Sequence, residues 1–223
     1  MKSLIFDSSS IITLTLNGLI DVLGPLQKYF KGRFFITPSV KHEAVDTPLR
    51  IRRFELEALK VSNLIKKGIL EMVQTPELEN ETRKVMSLAN NLFEAEGSKI
   101  TLLHEGESSC LALSKILKND TLMVIDERTT RMLCENPKNL QKLMERKLHL
   151  KIDRDNNMLK ELEIYTSTPI IRSSELILVA YKKGLISLPA DAQTAVEALM
   201  YATKFKGNSI SYGEIEEAKR MKI

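Results

Sequence analysis

Residues 3–14 read SLIFDSSSIITL. Leu4, Ile5 and Phe6 are consecutive apolar residues, not residues spaced three or four apart, and this predicts a short buried strand over 2–6. Asp7 ends the run. Ser8 to Ser10 can cap a helix whose apolar positions Ile11, Ile12, Leu14, Leu16 and Leu19 follow. A strand that feeds directly into a helix is the opening unit of an α/β protein. It also leaves a carboxylate at the carboxyl end of the strand, the edge at which open parallel sheets bind ligands.

The same alternation continues along the chain. Phe34–Ile36 predicts a second strand, followed by Thr37 as an N-cap, Pro38 at the first helical position and a short helix to Val45, stopped by Thr47-Pro48. Residues 51–67 predict an amphipathic helix closed by Gly68, 69–73 a third strand, and 77–96 a mostly helical segment ending at Gly97. Leu111, Leu113, Ile116 and Leu117 mark a helix buried on one face, with Glu107 in its first turn, where the positive end of the helix favours an acid. TLMVID, residues 121–126, reads as a fourth strand ending in Asp126, and ERTTRMLCE as the next helix. A strand, turn and helix over 169–184 and two short helices around KGNS in 189–221 complete the pattern. Strands alternating with helices predict an α/β sandwich around a mostly parallel sheet.

With 223 residues and 43% hydrophobic content, the chain can bury a sizeable core. Its apolar runs are shorter than the roughly 20 residues a bilayer span needs, and the N-terminus lacks the pattern of a signal peptide, so no membrane contact and a cytoplasmic setting are expected. A net charge of +4 permits nucleic-acid contact without requiring it. Cys110 and Cys134 form no CxxC pair and read as small buried hydrophobes.

Taken singly, Asp7 and Asp126 each fit an N-cap, worth about 1 kcal/mol. Two further acids widen the reading. Glu43 lies on the helix after the second strand and Glu107 opens the helix before the fourth, so four carboxylates can converge on one edge of the sheet. Two unit charges about 4 Å apart repel by roughly 4 kcal/mol at an effective dielectric near 20. A divalent cation, or protonation, relieves that cost. Oxygen donors without a histidine or cysteine cluster suit Mg²⁺ or Mn²⁺, and such ions serve phosphodiester hydrolysis.

At this point the chain resembles the PIN-domain family, the nucleases that include VapC-like toxins of prokaryotic toxin–antitoxin pairs. LIFDSSSII, ITPSVKHEAV, HEGESSCLALSKI and VIDERTTRML resemble the family's four acidic motifs in the family's order. IIRSSELILVAYKKGLI is similar to its fifth strand and following helix, and FKGNSISYGEIEEAKR to the closing helix of a subgroup. The resemblance implies a single PIN-like domain over 1–223, a three-layer α/β/α sandwich, with C-terminal helices over 189–223 packing on it. It implies Mg²⁺ or Mn²⁺ held by Asp7, Glu43, Glu107 and Asp126, with RNA hydrolysed by a metal-activated water. By the same resemblance Ser9 would steady the Asp7 loop, Glu127 would supply an outer carboxylate, and Arg131 would contact the phosphate backbone, a surface salt bridge being its other reading. A toxin role would bring an antitoxin partner, and homodimers are common in the family.

Two departures bear on this. RSSEL, residues 172–176, stands where many relatives carry smaller residues, so Arg172 would neutralise the acidic pocket, contact RNA or block the site. Residues 137–168 read as an insertion within the domain whose basic start either tracks a phosphate backbone or is a solvated amphipathic helix. Both departures keep open a non-catalytic PIN-like module that binds RNA or protein. Other chemistries lack their residues. HEGES has Ser108 where a zinc HExxH motif needs histidine, Ser9 stands where a dehalogenase-like phosphatase needs a second acid, and neither a P-loop nor a GxGxxG stretch occurs.

Overall fold

The computed structural model describes residues 2–118 and 120–220. The predicted pattern opens it. Strand β1 (Ser3–Phe6) is buried throughout and runs into helix α1 (Ser8–Leu16), capped by Asp7. Helix α2 (Leu23–Phe30) leads to β2 (Arg33–Ile36), then α3 (Pro38–Lys41), where the Thr37 hydroxyl accepts from the Val40 N–H at 3.3 Å. The expected continuation to Val45 is not regular α-helix. Residues His42–Asp46 form a π-turn closed by the Thr47 N–H on the His42 carbonyl at 2.9 Å. Single π-turns bulge the backbone and re-aim side chains, and this one carries Glu43.

Helix α4 (Glu55–Lys66) is shorter than the predicted 51–67, because a 3₁₀ turn at Arg52–Phe54 precedes it, and the third strand shrinks to β3 (Glu71–Met72). The expected helix over 77–96 divides. Helix α5 (Pro76–Asn90) stops, and β4 (Phe93–Ala95) turns back through Glu96-Gly97 into β5 (Ser98–Lys99). Both turn residues have positive φ, 50° and 77°, the conformation that a two-residue hairpin loop requires and that Gly97 supplies without strain. Helix α6 (Glu105–Leu117), β6 (Thr121–Val124) and α7 (Arg128–Glu135) follow as expected. Then come α8 (Pro137–Leu148), β7 (Asp153–Arg154), α9 (Asn156–Thr166), β8 (Ile170–Ile171), α10 (Ser173–Lys182), α11 (Ala192–Phe205) and α12 (Tyr212–Arg220). Residues 221–223 of the predicted C-terminal helices lie outside the described residues.

The central sheet has the order β3-β2-β1-β6-β8, and every pairing in it is parallel. Helices cover both faces, giving the three-layer α/β/α sandwich. Because β1 and β6 are adjacent and in register, Phe6 opposite Val124, the residues that follow them emerge side by side at the carboxyl edge. A second, antiparallel sheet, β5-β4-β7, stands apart from the first. Phe6, Phe34 and Ile36 are fully buried in the core, which fixes the strand ends rigidly behind the acids. Helix α9 packs on α5 and α6, and there the Tyr165 hydroxyl and the Lys115 ammonium meet Glu81, each at 2.6 Å. Among the described residues no single helix is long and apolar enough to cross a membrane.

Candidate active site

Asp7 is both the cap and the acid that the sequence offered as alternatives, with the two roles divided between its oxygens. Oδ2 accepts from the Ser9 N–H at 3.1 Å and the Ser9 hydroxyl at 2.5 Å, which caps α1. Oδ1 is buried, and among the described residues nothing donates to it. The side chain is 1% exposed. Burial first, and then the charges of Glu107 and Glu43, oppose its ionisation, while the Ser9 bonds favour it. The balance pushes its pKa up to about 7.

Glu43 comes in from the π-turn. Its Oε2 accepts from the Ser8 hydroxyl at 2.5 Å, and its carboxylate lies against Gly106 on α6, where an added Cβ would meet Oε1 at 2.9 Å. Glu107 reaches back to accept from the His104 N–H at 3.1 Å and so caps α6. Burial, with the charges of Glu43 and Glu127, raises its pKa as well. Three of the four expected acids therefore feel one another electrostatically. Cys110 lies behind them as a buried thiol, its S–H donating to the Phe6 carbonyl at 3.7 Å.

Asp126 joins the group differently. Its backbone N–H donates to the Ser9 hydroxyl oxygen at 3.1 Å, so Ser9 ties the Asp7 and Asp126 loops together. Its carboxylate, fully buried, is turned toward α10 and the α11–α12 loop. Oδ1 accepts from the Ser173 N–H at 2.8 Å and the Asn208 amide at 3.1 Å, and Oδ2 from the Ser173 hydroxyl at 2.6 Å. Asp126 is thus not the cap of α7. Glu127 is, accepting from the Thr129 and Thr130 N–H groups at 2.8 and 2.6 Å.

The two arginines differ in how fully they are paired. Arg172 is 11% exposed at its side chain and bound to Glu175 at 2.8 Å and Glu214 at 2.6 Å, so its charge is met within the fold. Arg131 is 14% exposed, donates to the Ser209 hydroxyl at 3.1 Å, and has Glu135 only at 3.9 Å. Burial, and then the neighbouring Arg172, hold its pKa below the usual value.

A family model for the PIN domain matches residues 3–141. The chain belongs to the PIN-domain family. No curated protein and no solved structure matches it. PIN domains are generally nucleases, and the fold here is nuclease-like. The PIN match takes in Asp7, Glu43, Glu107 and Asp126, but not Arg172, Ser173, Asn208 or Ser209.

PIN domains typically use divalent metals, and the donor set here is suited to one. It is made of carboxylates alone, and the bare, buried Oδ1 of Asp7 lacks the hydrogen bond such an atom ordinarily has. The donors are nonetheless spread out. Among the described residues no three acidic, histidine or cysteine side chains form a ready-made metal shell. In residue chemistry alone, oxygen donors with an unpartnered carboxylate oxygen on Asp7 fit a hard cation.

Sequence reasoning did not find Ser8, Gly106, Ser173 or Asn208. Ser8 sat in the Ser8–Ser10 run as one of three interchangeable caps, and Ser173 lay in the RSSEL departure. Asn208 sits in a Gly-Asn-Ser stretch, which reads as a turn.

Proposed function

We propose that this protein is a Mg²⁺- or Mn²⁺-dependent endoribonuclease that hydrolyses RNA phosphodiester bonds, and that it serves as the toxin of a toxin–antitoxin pair. The observation that carries the nuclease reading is Asp7: a fully buried carboxylate with one bare oxygen, beside two acids whose charges oppose its ionisation. Such a group is costly without a cation and becomes favourable when one is bound.

Asp7, Glu43 and Glu107 would hold the metal, with Asp126, both of whose oxygens are hydrogen-bonded within the fold, as the fourth acid. A bound Mg²⁺ or Mn²⁺ supplies positive charge at the scissile phosphate and an acidified water for attack on phosphorus. The chain's own residues do the positioning. Ser9 fixes the Asp7 carboxylate and the Asp126 backbone with one hydroxyl, and Ser8 orients Glu43. Arg131, underpaired and near the Asp126 loop, is suited to grip a non-bridging phosphate oxygen. A cleft of about 320 Å³, lined by Ser39, Thr75, Leu78, Arg83 and Glu105 among others and by none of the four acids, offers room for a nucleotide, since Ser39 and Glu105 lie within four residues of Glu43 and Glu107.

The test is cleavage of mixed RNA with Mn²⁺ by the wild type, Asp7→Asn and Asp126→Asn, with circular dichroism to verify folding. Loss of cleavage in both folded variants is expected, and undiminished cleavage by both overturns the mechanism. A second reading, a protein-interaction module, is favoured by one observation. An apolar groove of about 280 Å³ between α1 and α4, lined by Ile12, Leu16, Ile51 and Phe54, leaves Ile12 and Ile51 exposed. Absence of both Mn²⁺ binding and cleavage in the wild type would favour it.

A further inference from the structure

We propose that Asn208, in the loop between α11 and α12, is a positioning residue that sets the Asp126 carboxylate for metal binding. The inference rests on the metal-dependent reading above and assigns a role to a residue beyond the PIN match. Asn208 is 3% exposed. Its amide lies 3.1 Å from Asp126 Oδ1 and 3.1 Å from the Ser173 hydroxyl oxygen. An ionised carboxylate only accepts, so the amide nitrogen must face it. The Asn208 carbonyl oxygen then points away, buried and unpartnered among the described residues.

The consequence for Asp126 follows from counting lone pairs. Oδ1 takes two donors, the Ser173 N–H and the Asn208 amide, while Oδ2 takes one, the Ser173 hydroxyl. One oxygen is saturated and the other keeps acceptor capacity. Asp7 is divided more sharply, with Oδ2 holding both Ser9 bonds and Oδ1 bare. Both strand-end acids are thus fixed by hydrogen bonds, Asp7 through one oxygen and Asp126 through both, and Asp126 Oδ2 with its single donor keeps a lone pair for a cation. Outer hydrogen bonds of this kind orient ligating carboxylates, and their loss typically costs about 10- to 100-fold in metal affinity.

The loop is built to deliver that amide. Gly207 has φ +125°, and a Cβ on it would lie 3.0 Å from the Thr13 hydroxyl of α1, so glycine lets the backbone pass that close. Lys206 donates to the Leu16 carbonyl at 2.7 Å, and the Ser209 hydroxyl to the Asp126 carbonyl at 2.9 Å. The loop is therefore anchored to the end of α1 and to the Asp126 segment, with Asn208 between its anchors.

The experiment is Mn²⁺ titration calorimetry on the full chain, with thermal melts and RNA-cleavage kinetics, for wild type, Asn208→Ala and Glu81→Gln. Asn208→Ala should weaken Mn²⁺ binding by about tenfold or more and lower kcat with little change in KM for RNA. Glu81→Gln, which weakens the contact of α5 with α6 and α9 away from the acids, should lower Tm and leave Mn²⁺ affinity within about twofold of wild type. If the Asn208→Ala protein does not fold, Asn208→Ser replaces it with the same expectation. Wild-type Mn²⁺ affinity in the Asn208 variant, or equal weakening by Glu81→Gln, overturns the proposal while leaving the nuclease reading intact. A wild-type protein that binds no Mn²⁺ overturns that reading and this inference with it.

Discussion

Gly106 backs directly onto the carboxylate of Glu43: a methyl group on its Cα would lie 2.9 Å from Oε1 and 3.1 Å from Oε2. The first turn of α6 thus acts as the wall against which the π-turn acid rests. Gly106→Ala should separate folding from function. Alanine improves helix propensity by up to about 1 kcal/mol, and the clash falls on the tip of a flexible side chain that can swing away. Thermal melts should shift by no more than about 3 °C. Mn²⁺ affinity, read by calorimetry, should fall by about tenfold, because Glu43 loses its place and its Ser8 bond.

Asp7→Asn removes a buried negative charge that the metal-free fold tolerates poorly. At pH 8 the metal-free variant should be more stable than wild type, by roughly 1–3 kcal/mol. Wild type should gain stability as Mn²⁺ is added, and the variant should gain almost none. Scanning fluorimetry with and without Mn²⁺ reads both signs in one experiment. A variant less stable than wild type without metal would show that Asp7 is a structural cap and nothing more.

The pH dependence follows from the same group. The folded protein holds the Asp7 proton up to about 7, whereas an unfolded chain releases it near 3.8. Between those values the native state binds more protons than the unfolded state, so stability falls as pH rises. Glu107, also raised, adds in the same direction. Metal-free wild type should therefore lose up to about 4 kcal/mol between pH 4 and 7, and the Asp7→Asn profile should be flatter over that window. Urea melts at stepped pH measure the difference.

What the sequence made legible depended on short-range rules. Asp7 and Asp126 could be placed at one edge because each follows an apolar run, and parallel strands all present their carboxyl ends to the same side. Thr37 and Pro38 announced a helix start, and the start is there. The hairpin at Phe93–Lys99 was hidden because Phe-Glu-Ala continues a helical pattern as readily as it forms a strand. The partners of the acids were hidden for a different reason. Ser8 reaches Glu43 across 35 positions and Asn208 reaches Asp126 across 82, and no local pattern records which loops the sheet will bring together. The Glu81 cluster was missed in the same way, since Lys115 and Tyr165 lie on two other helices.

That cluster carries its own prediction. Lys115 and then Tyr165 hold Glu81 down to about 2, against the penalty of burial. A carboxylate held this low stabilises the fold above its ordinary range, and the contribution is lost as pH falls through about 2. Glu81→Gln keeps one acceptor oxygen but removes the charge that pairs with the Lys115 ammonium, and should cost about 2–3 kcal/mol at neutral pH. Cleavage and Mn²⁺ binding below the melting transition should be unaffected, because the cluster joins α5, α6 and α9 away from the acids.

Arg131 separates substrate binding from metal binding. Its guanidinium sits beside Arg172, whose own charge is matched by Glu175 and Glu214, while its nearest carboxylate is 3.9 Å away. A phosphate oxygen would relieve that imbalance, and this is the physical reason to expect one there. Arg131→Ala should raise KM for RNA severalfold, leave Mn²⁺ affinity near wild type, and lower the salt dependence of RNA binding by the equivalent of about one released counterion. Arg131→Lys should restore the salt slope but only part of the affinity, because an ammonium keeps the charge and lacks the planar fork. Filter binding of a short single-stranded RNA with catalytically silent Asp7→Asn protein, across a salt series, isolates this contact from cleavage. A salt slope unchanged by Arg131→Ala would show that Arg131 only braces the loop through Ser209.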